Sequence, residues 1–381
     1  MAGLYVHIPF CLSRCGYCDF YSCTQLEYKD AYLAALLQEI ELRKDAWKDE
    51  VFDTIYIGGG TPSLLQRPSL ADLLNSIYHT FSVSEHPEIT IEANPNDLSE
   101  TYVSSLKNLP FNRISIGIQS FNDRELQLLN RRHTAQEAIE AVERCRRAGI
   151  ENISVDLIYG IPRQTIEDWS QTLDKVTDLD ITHISAYHLS YEEGTVIYQQ
   201  MRNGEVQPVD EETSEACFFL LVKKLTKAGF LHYEISNFAR ISPAYPLGQI
   251  AIHNTSYWKG VHYLGLGASA HSYDGQSRFW NVASLQTYIY NVRANNGVWF
   301  ESEKLDERAK YNDYIITRLR TKWGISLKDF QREFGVKKKD DFLIKSTNLI
   351  DSNKLQIEGD IIKVSFESIF ITDAILRELI V

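Results

Sequence analysis

Apolar and polar positions along the chain alternate between two periods. Short runs rich in β-branched residues are "LYVHI" from Leu4, "TIYI" from Thr54, "EITIEA" from Glu88, "RISIGI" from Arg113, "NISVDLI" from Asn152 and "HISAYHL" from His183. Longer stretches with helical spacing separate them. The first, "YKDAYLAALLQEIELRKDAW", puts Tyr32, Ala35, Leu36 and Ile40 on one face. Later stretches carry Ser/Thr-x-x-Asp/Glu start signals: Ser69 with Asp72, Thr134 with Glu137, Thr165 with Asp168. Gly149 stands where a C-terminal cap follows "AIEAVERCRRA". Strand and helix periods in turn predict a parallel sheet with crossover helices, hence an α/β fold. Six such units predict a partial (β/α)6 barrel, with a doubly wound sheet as the alternative. No internal repeat or low-complexity tract interrupts the pattern.

The alternation fades after the first 236 residues, which are read as the barrel core. Residues 237–302 are dense in Gly, Pro and aromatic residues, and such stretches usually cover or line a site, here the barrel mouth. Residues 303–381 read as a small C-terminal domain of helices followed by a hairpin in "LIDSNKLQIEGDIIKVS".

A chain of 381 residues, 44% hydrophobic, has material for a large core, and its formal charge of −12 argues against an extended phosphate-binding surface and a nucleic-acid partner. No run approaches the roughly 18 apolar residues of a membrane span, and "MAGLYVHIPF" lacks the basic and apolar regions of a signal peptide. A cytoplasmic location is expected. The six cysteines, Cys11, Cys15, Cys18, Cys23, Cys145 and Cys217, are too few and too clustered for a secreted disulfide framework, which directs attention to metal or cluster chemistry.

In barrels of parallel strands, reactive groups collect at the C-terminal strand ends. The cysteine cluster follows the first run and "GGGTPS" the second; Glu92 ends the third and Gln119 the fourth; Asp156 lies on the fifth, Tyr187 and His188 on the sixth. Each has an ordinary explanation taken alone. A Gly-rich turn needs no ligand, carboxylates pair with helix N-termini or Arg, and a glutamine can satisfy buried backbone. Their coincidence on one rim favours a site. Zinc prefers a closed set of four ligands, so a structural zinc would need Cys23 or His7 beside the trio. The Cys-x3-Cys-x2-Cys spacing also departs from paired Cys-x2-Cys knuckles. A [4Fe–4S] cluster takes one thiolate per iron, so three thiols leave one iron open to a small molecule bearing amino and carboxylate groups.

"CLSRCGYC", "GGGTPS", "IEANP", "GIQSF", "LNRRH" and "DLIYGIP", in that order, resemble the radical S-adenosylmethionine superfamily, in particular its oxygen-independent coproporphyrinogen oxidase-like branch. Within the branch the chain is similar to heme chaperones rather than to the coproporphyrinogen dehydrogenase. The dehydrogenase pattern has a fourth cysteine where Phe20 stands, and a long segment before the trio, where only ten residues precede Cys11. "HNTSYW", His253 to Trp258, matches the HNxxYW motif associated with the chaperones.

The resemblance implies that Cys11, Cys15 and Cys18 hold a [4Fe–4S] cluster and that Gly59, Gly60 and Thr61 line an S-adenosylmethionine site. Glu92, Gln119, Arg131 and Asp156 then match positions contacting that cofactor or a second copy, flanked by Tyr5 and Tyr17. It further implies heme binding and transfer to a recipient protein that the sequence does not identify. A reductant such as flavodoxin or ferredoxin and a monomer or dimer go with the same expectation. His253 is the favoured axial ligand to heme iron, because imidazole suits iron and Tyr257 and Trp258 stand near it in sequence. His232, His262 and His271 are its rivals, and a bracing role for the motif is the alternative. Oxidative decarboxylation of coproporphyrinogen III in porphyrin biosynthesis is the competing activity, so whether the chain is an enzyme stays open here.

Overall fold

The computed structural model describes residues 2–295 and 300–381; residues 296–299, near the end of the segment expected to cover the mouth, lie outside the described residues. All six runs form strands: β1 Ala2–Ile8, β2 Val51–Gly59, β3 Ser82–Ala93, β4 Arg113–Gln119, β5 Asn152–Tyr159 and β6 His183–His188. They pair in parallel and in chain order. A doubly wound sheet reverses its strand order at a switch point, whereas unreversed right-handed crossovers keep the helices on one face and let the sheet curl. The fold is therefore α/β, as the periodicity predicts, and the unreversed strand order decides for the open, incomplete parallel barrel over the doubly wound alternative.

Alternation along these strands separates two faces. Leu4, Val6, Ile55, Ile57, Ile114 and Ile116 point into the main apolar core with the helices. The opposite face is polar or bare. Tyr5 lies beside Tyr56, Tyr56 beside Thr90 and Thr90 beside Arg113, and Gly117, Asp156 and Ser185 form a second row. Closed parallel barrels fill this interior with branched apolar side chains. Here polar groups and glycine leave it hollow.

The segment read as loop-rich carries regular structure instead. At its start β8 Asn237–Arg240 pairs antiparallel with β6 and with β7 Phe230–Glu234, which lies just ahead of the segment. Beyond β1 come β9 His262–Leu266, parallel to β1, then antiparallel β10 His271–Tyr273, β11 Ser277–Asn281 and β12 Phe300–Lys304. Strands this short show almost no alternation in sequence; the ladder offered by the free edge of β1 is what makes them strands. "HNTSYW" is likewise no loop but the last six residues of a helix, Ile252–Trp258.

Both threonine start signals form capping boxes, at Thr134 with Glu137 and at Thr165 with Asp168. Ser69 does not start its helix, which runs Arg67–Thr80 from Gln66 with Pro68 in its first turn. Proline's fixed φ and missing N–H suit that position and begin the helix earlier. Gly149 (φ +84°) closes the helix Ala135–Arg147, with the Ile150 N–H donating back to the Cys145 carbonyl.

In the C-terminal stretch, a helix Glu307–Leu319 and a helical run Leu327–Asp351, broken at Gly335, pack on the expected hairpin, β14 Leu355–Glu358 and β15 Ile361–Val364, which β13 Ile325–Ser326 joins. Phe330, Phe342, Leu349 and Ile362 centre a separate apolar cluster there. Among the described residues no helix is long and apolar enough to cross a membrane.

Candidate functional site

The hollow face opens at the C-terminal strand ends into a cavity of about 420 Å³, within the usual size of small-molecule sites. Cys11, Cys15 and Cys18 stand at its mouth, and Tyr17, Gly59, Gly60, Thr61, Glu92, Gln119, Arg131 and Asp156 line it. The thiols and Tyr17 come from the loop after β1, Gly59 to Thr61 from the end of β2, Glu92, Gln119 and Asp156 from β3, β4 and β5, and Arg131 from the turn after a helix, so the rim expected from the sequence is one surface in space. Tyr5 does not line the cavity. Its hydroxyl meets Nδ1 of His7 at 2.9 Å, and the other His7 nitrogen meets the Tyr21 carbonyl at 2.8 Å. With both ring nitrogens engaged, His7 offers no lone pair to a metal.

The three thiols share one electrostatic neighbourhood. Burial pushes the Cys11 thiol up, and pushes Cys18 up to about 11, with Cys15 adding to each rise. The Thr61 hydroxyl donates to the Cys11 sulfur at 3.5 Å and an Arg131 N–H to the Cys15 sulfur at 3.2 Å. Donors and a fixed cation aimed at sulfur favour thiolates, whose mutual repulsion a metal centre would offset. Among the described residues no three His, Cys, Asp or Glu side chains are grouped to clasp a single ion. Three thiols, two of them receiving donors at sulfur, are the donor chemistry a [4Fe–4S] cluster takes. Cys23 does not line the cavity; its backbone pairs with Pro9 and Cys11 and shapes the cysteine loop.

The opposite wall centres on Glu92. One carboxylate oxygen accepts from the Tyr56 hydroxyl at 2.7 Å, the other from the Gly59 N–H at 2.9 Å. Gly59 is required for its backbone as much as for any ligand: its φ is +111°, and a Cβ there would meet the His7 ring at 2.7 Å. Arg131 follows Asn130, whose left-handed φ of +57° ends the helix Asp123–Leu128 and turns the chain inward. Its guanidinium donates to Asn94 at 2.6 Å and to the Gly117 carbonyl, while its buried Nε has no hydrogen-bond partner among the described residues. An orphaned donor beside the thiols suits an anionic group of a ligand. Gln119 holds a left-handed φ of +70°, uncommon for a residue with a side chain and frequent at ligand sites.

Burial pushes the Glu92 carboxyl from its ordinary 4.5 up to about 7, against the opposing Tyr56 hydrogen bond and with the Asp156 charge adding to the rise. A carboxyl raised on folding binds its proton more tightly in the native state. Its contribution is complete below about 4.5 and is lost as pH rises through about 7. Between those limits, urea unfolding of Glu92→Gln compared with wild type is expected to shift in favour of the variant by on the order of 3 kcal/mol. A difference independent of pH would contradict the burial that causes the shift.

Three groups escaped the sequence reading. Arg113, buried and lining the cavity, faces Asp156 and Glu92, and Ser115 and Ser185 both support Asp156. The signal was present: polar or glycine residues at 113, 115, 117 and 119 alternate with isoleucine along "RISIGIQ".

The structure places His253 outside the cavity. Its ring is buried, with Nδ1 against the Thr54 hydroxyl at 2.7 Å and Nε2 against the Tyr257 hydroxyl at 2.8 Å. Burial and the nearby Arg113 charge depress its pKa to about 3, so it stays neutral. Neither nitrogen is free for heme iron, and the ring does not line the cavity. The rivals do no better. His232 stacks on Phe238, His262 pairs with Glu50, and His271 stacks on Trp280, all outside the cavity lining.

A model of the radical SAM superfamily matches residues 5–176. The heme chaperone HemW of Lactococcus lactis subsp. lactis (strain IL1403) is 34% identical over 331 residues, 87% of this chain and 84% of that protein. HemW of Mycobacterium tuberculosis (strain ATCC 25618 / H37Rv) is 31% identical over 382 residues, 99% of this chain and 94% of its own length. Among solved structures, coproporphyrinogen III oxidase (HemN) of Escherichia coli, described as a radical SAM enzyme, superposes with a TM-score of 0.85 at 23% identity, covering 99% of this chain and 89% of that one.

Proposed function

We propose, for a chain that belongs to the HemW family of the radical S-adenosylmethionine superfamily, a role as a heme chaperone: it binds heme and passes it to a recipient protein, with a [4Fe–4S] cluster and S-adenosylmethionine bound at the barrel mouth. The observation that carries the cofactor reading is the convergence of Cys11, Cys15 and Cys18 with Glu92, Gln119, Arg131 and Asp156 on one cavity.

In that reading the three thiolates hold three irons, and the bound pair supplies one-electron chemistry at the sulfonium. The chain's own residues orient and shield. Arg131 answers an anionic group beside Cys15, Glu92 and Asp156 accept from hydroxyl or ammonium donors, and the thiol loop closes the cavity over them. For heme, the exposed rings of Phe20 and Tyr187 at the rim offer apolar surface to a planar macrocycle. Phe20 stands where the dehydrogenase pattern has its fourth cysteine, which favours carriage of a tetrapyrrole over its decarboxylation.

The deciding experiment is anaerobic reconstitution with iron and sulfide, followed by a heme titration read by absorbance and an assay with coproporphyrinogen III, reductant and S-adenosylmethionine. The expected outcome is about four irons per chain, saturable heme binding and no protoporphyrinogen. Decarboxylated product would move the chain to the enzymes of porphyrin biosynthesis, and absence of heme binding would end the chaperone reading.

A further inference from the structure

The helix Ile252–Trp258 sits across the hollow face, far from the cysteine loop in sequence. The Glu88 carboxylate accepts from the Ile252 and His253 N–H groups, at 3.0 and 2.9 Å, and pins the helix start to β3. The His253 ring lies between two hydroxyls, Thr54 on β2 and Tyr257 on its own helix, and stacks on the Tyr56 ring with centroids 5.1 Å apart and planes 24° apart. The hydroxyl of that same Tyr56 donates to Glu92, whose other oxygen holds the Gly59 N–H. An unbroken line of contacts thus runs from the motif helix to the carboxylate on the cavity wall.

The next residue has the opposite surroundings. Asn254 lines the cavity with Tyr56, Gly59 and Glu92, and no hydrogen bond engages its amide among the described residues. An amide both donates and accepts, which matches hydroxyls, a carboxylate or the edge of a purine.

We propose that adjacent residues of this helix divide two tasks: His253 is a positioning residue that acts through Tyr56 on Glu92, and Asn254 contacts S-adenosylmethionine directly. The proposal rests on the cofactor reading of the cavity given above. It removes the motif histidine from heme ligation and makes the motif part of the wall that holds the adenosyl ligand.

The test uses the reconstituted full chain and measures S-adenosylmethionine affinity by equilibrium dialysis, together with the change that the ligand makes in the electron paramagnetic resonance spectrum of the reduced cluster. Asn254→Ala is expected to weaken binding about tenfold, the value of one hydrogen bond to a charged ligand, with an unchanged melting temperature. Tyr56→Phe and His253→Gln are each expected to weaken it, and the double variant to lose less than the product of the two losses, because both act on Glu92. Heme spectra of His253→Gln are expected to keep the wild-type axial-ligand bands. Wild-type chain that does not bind S-adenosylmethionine would overturn the cofactor reading and the proposal with it. Wild-type binding with unaltered affinity in Asn254→Ala, additive losses in the double variant, or heme bands lost in His253→Gln would overturn the proposal alone.

Discussion

Replacing Cys15 with serine is expected to abolish the four-iron centre, reducing iron and sulfide in anaerobically reconstituted protein to the background of a chain lacking all three thiols. A thiolate is the ligand that iron in such clusters takes, and a neutral hydroxyl does not replace it. Cys15 is the informative member of the trio because its sulfur receives the Arg131 N–H at 3.2 Å. Removing the thiolate deprives the half-buried guanidinium of an anionic partner while the Asn94 and Gly117 contacts persist. The fold is expected to survive, since Cys15 lies on a loop and none of the core packing depends on it. Far-ultraviolet circular dichroism and the melting temperature should therefore stay near those of wild type without cluster. Full retention of iron and sulfide by Cys15→Ser would refute the assignment of the trio.

The largest effect on stability is expected at Glu39, away from the cavity. Its side chain is completely buried and its carboxylate accepts from Arg43, from Asn281 Nδ2 at 2.7 Å, from the Gly267 N–H at 2.8 Å and from the Tyr288 hydroxyl at 2.6 Å. Every lone-pair direction is used, which is how a buried charge becomes tolerable. Glu39→Leu leaves those donors facing an apolar side chain, a loss of about 3–5 kcal/mol, read as a lower urea midpoint at unchanged slope. Glu39→Gln keeps the acceptor oxygen and should cost clearly less. The same cluster serves the site. Gly267 packs against the Tyr32 hydroxyl, which donates to the His7 carbonyl at 2.6 Å, and β1 ends at Ile8, just before the cysteine loop. Cluster loss on dilution should therefore quicken in Glu39→Leu. A midpoint within experimental error of wild type would show that the network contributes nothing net.

The rim residues were legible because each follows a strand of recognisable period. In an open parallel barrel the C-terminal strand ends share one edge, so Cys11, Gly59, Glu92, Gln119 and Asp156 could be placed together before any coordinate was known. Arg131 was reached through its motif alone, since its entry into the cavity depends on the left-handed turn at Asn130. Arg113 was missed for the opposite reason. A single charge opening an isoleucine-rich strand reads as a solvated end, and only the neighbouring carboxylates on β3 and β5 show that it is buried with partners.

His253 marks the limit of that reasoning. Its residue type and neighbours suit iron ligation in sequence, yet Thr54 and Tyr56, which determine what its ring can do, stand some two hundred positions away. The same holds for residues 237–302, whose short strands extend the sheet from two distant edges, β8 from β6 and β9 from β1.

By itself the sequence determined the α/β class, the six parallel strands and the rim on which the reactive groups gather, because these follow from local period and from one rule of strand-end geometry. Tertiary structure alone decided which way the motif helix faces, which glycine is needed for its backbone, and how the sheet continues past β1. Those outcomes turn on hydrogen bonds and ring contacts between segments distant in the chain, and no local pattern records them.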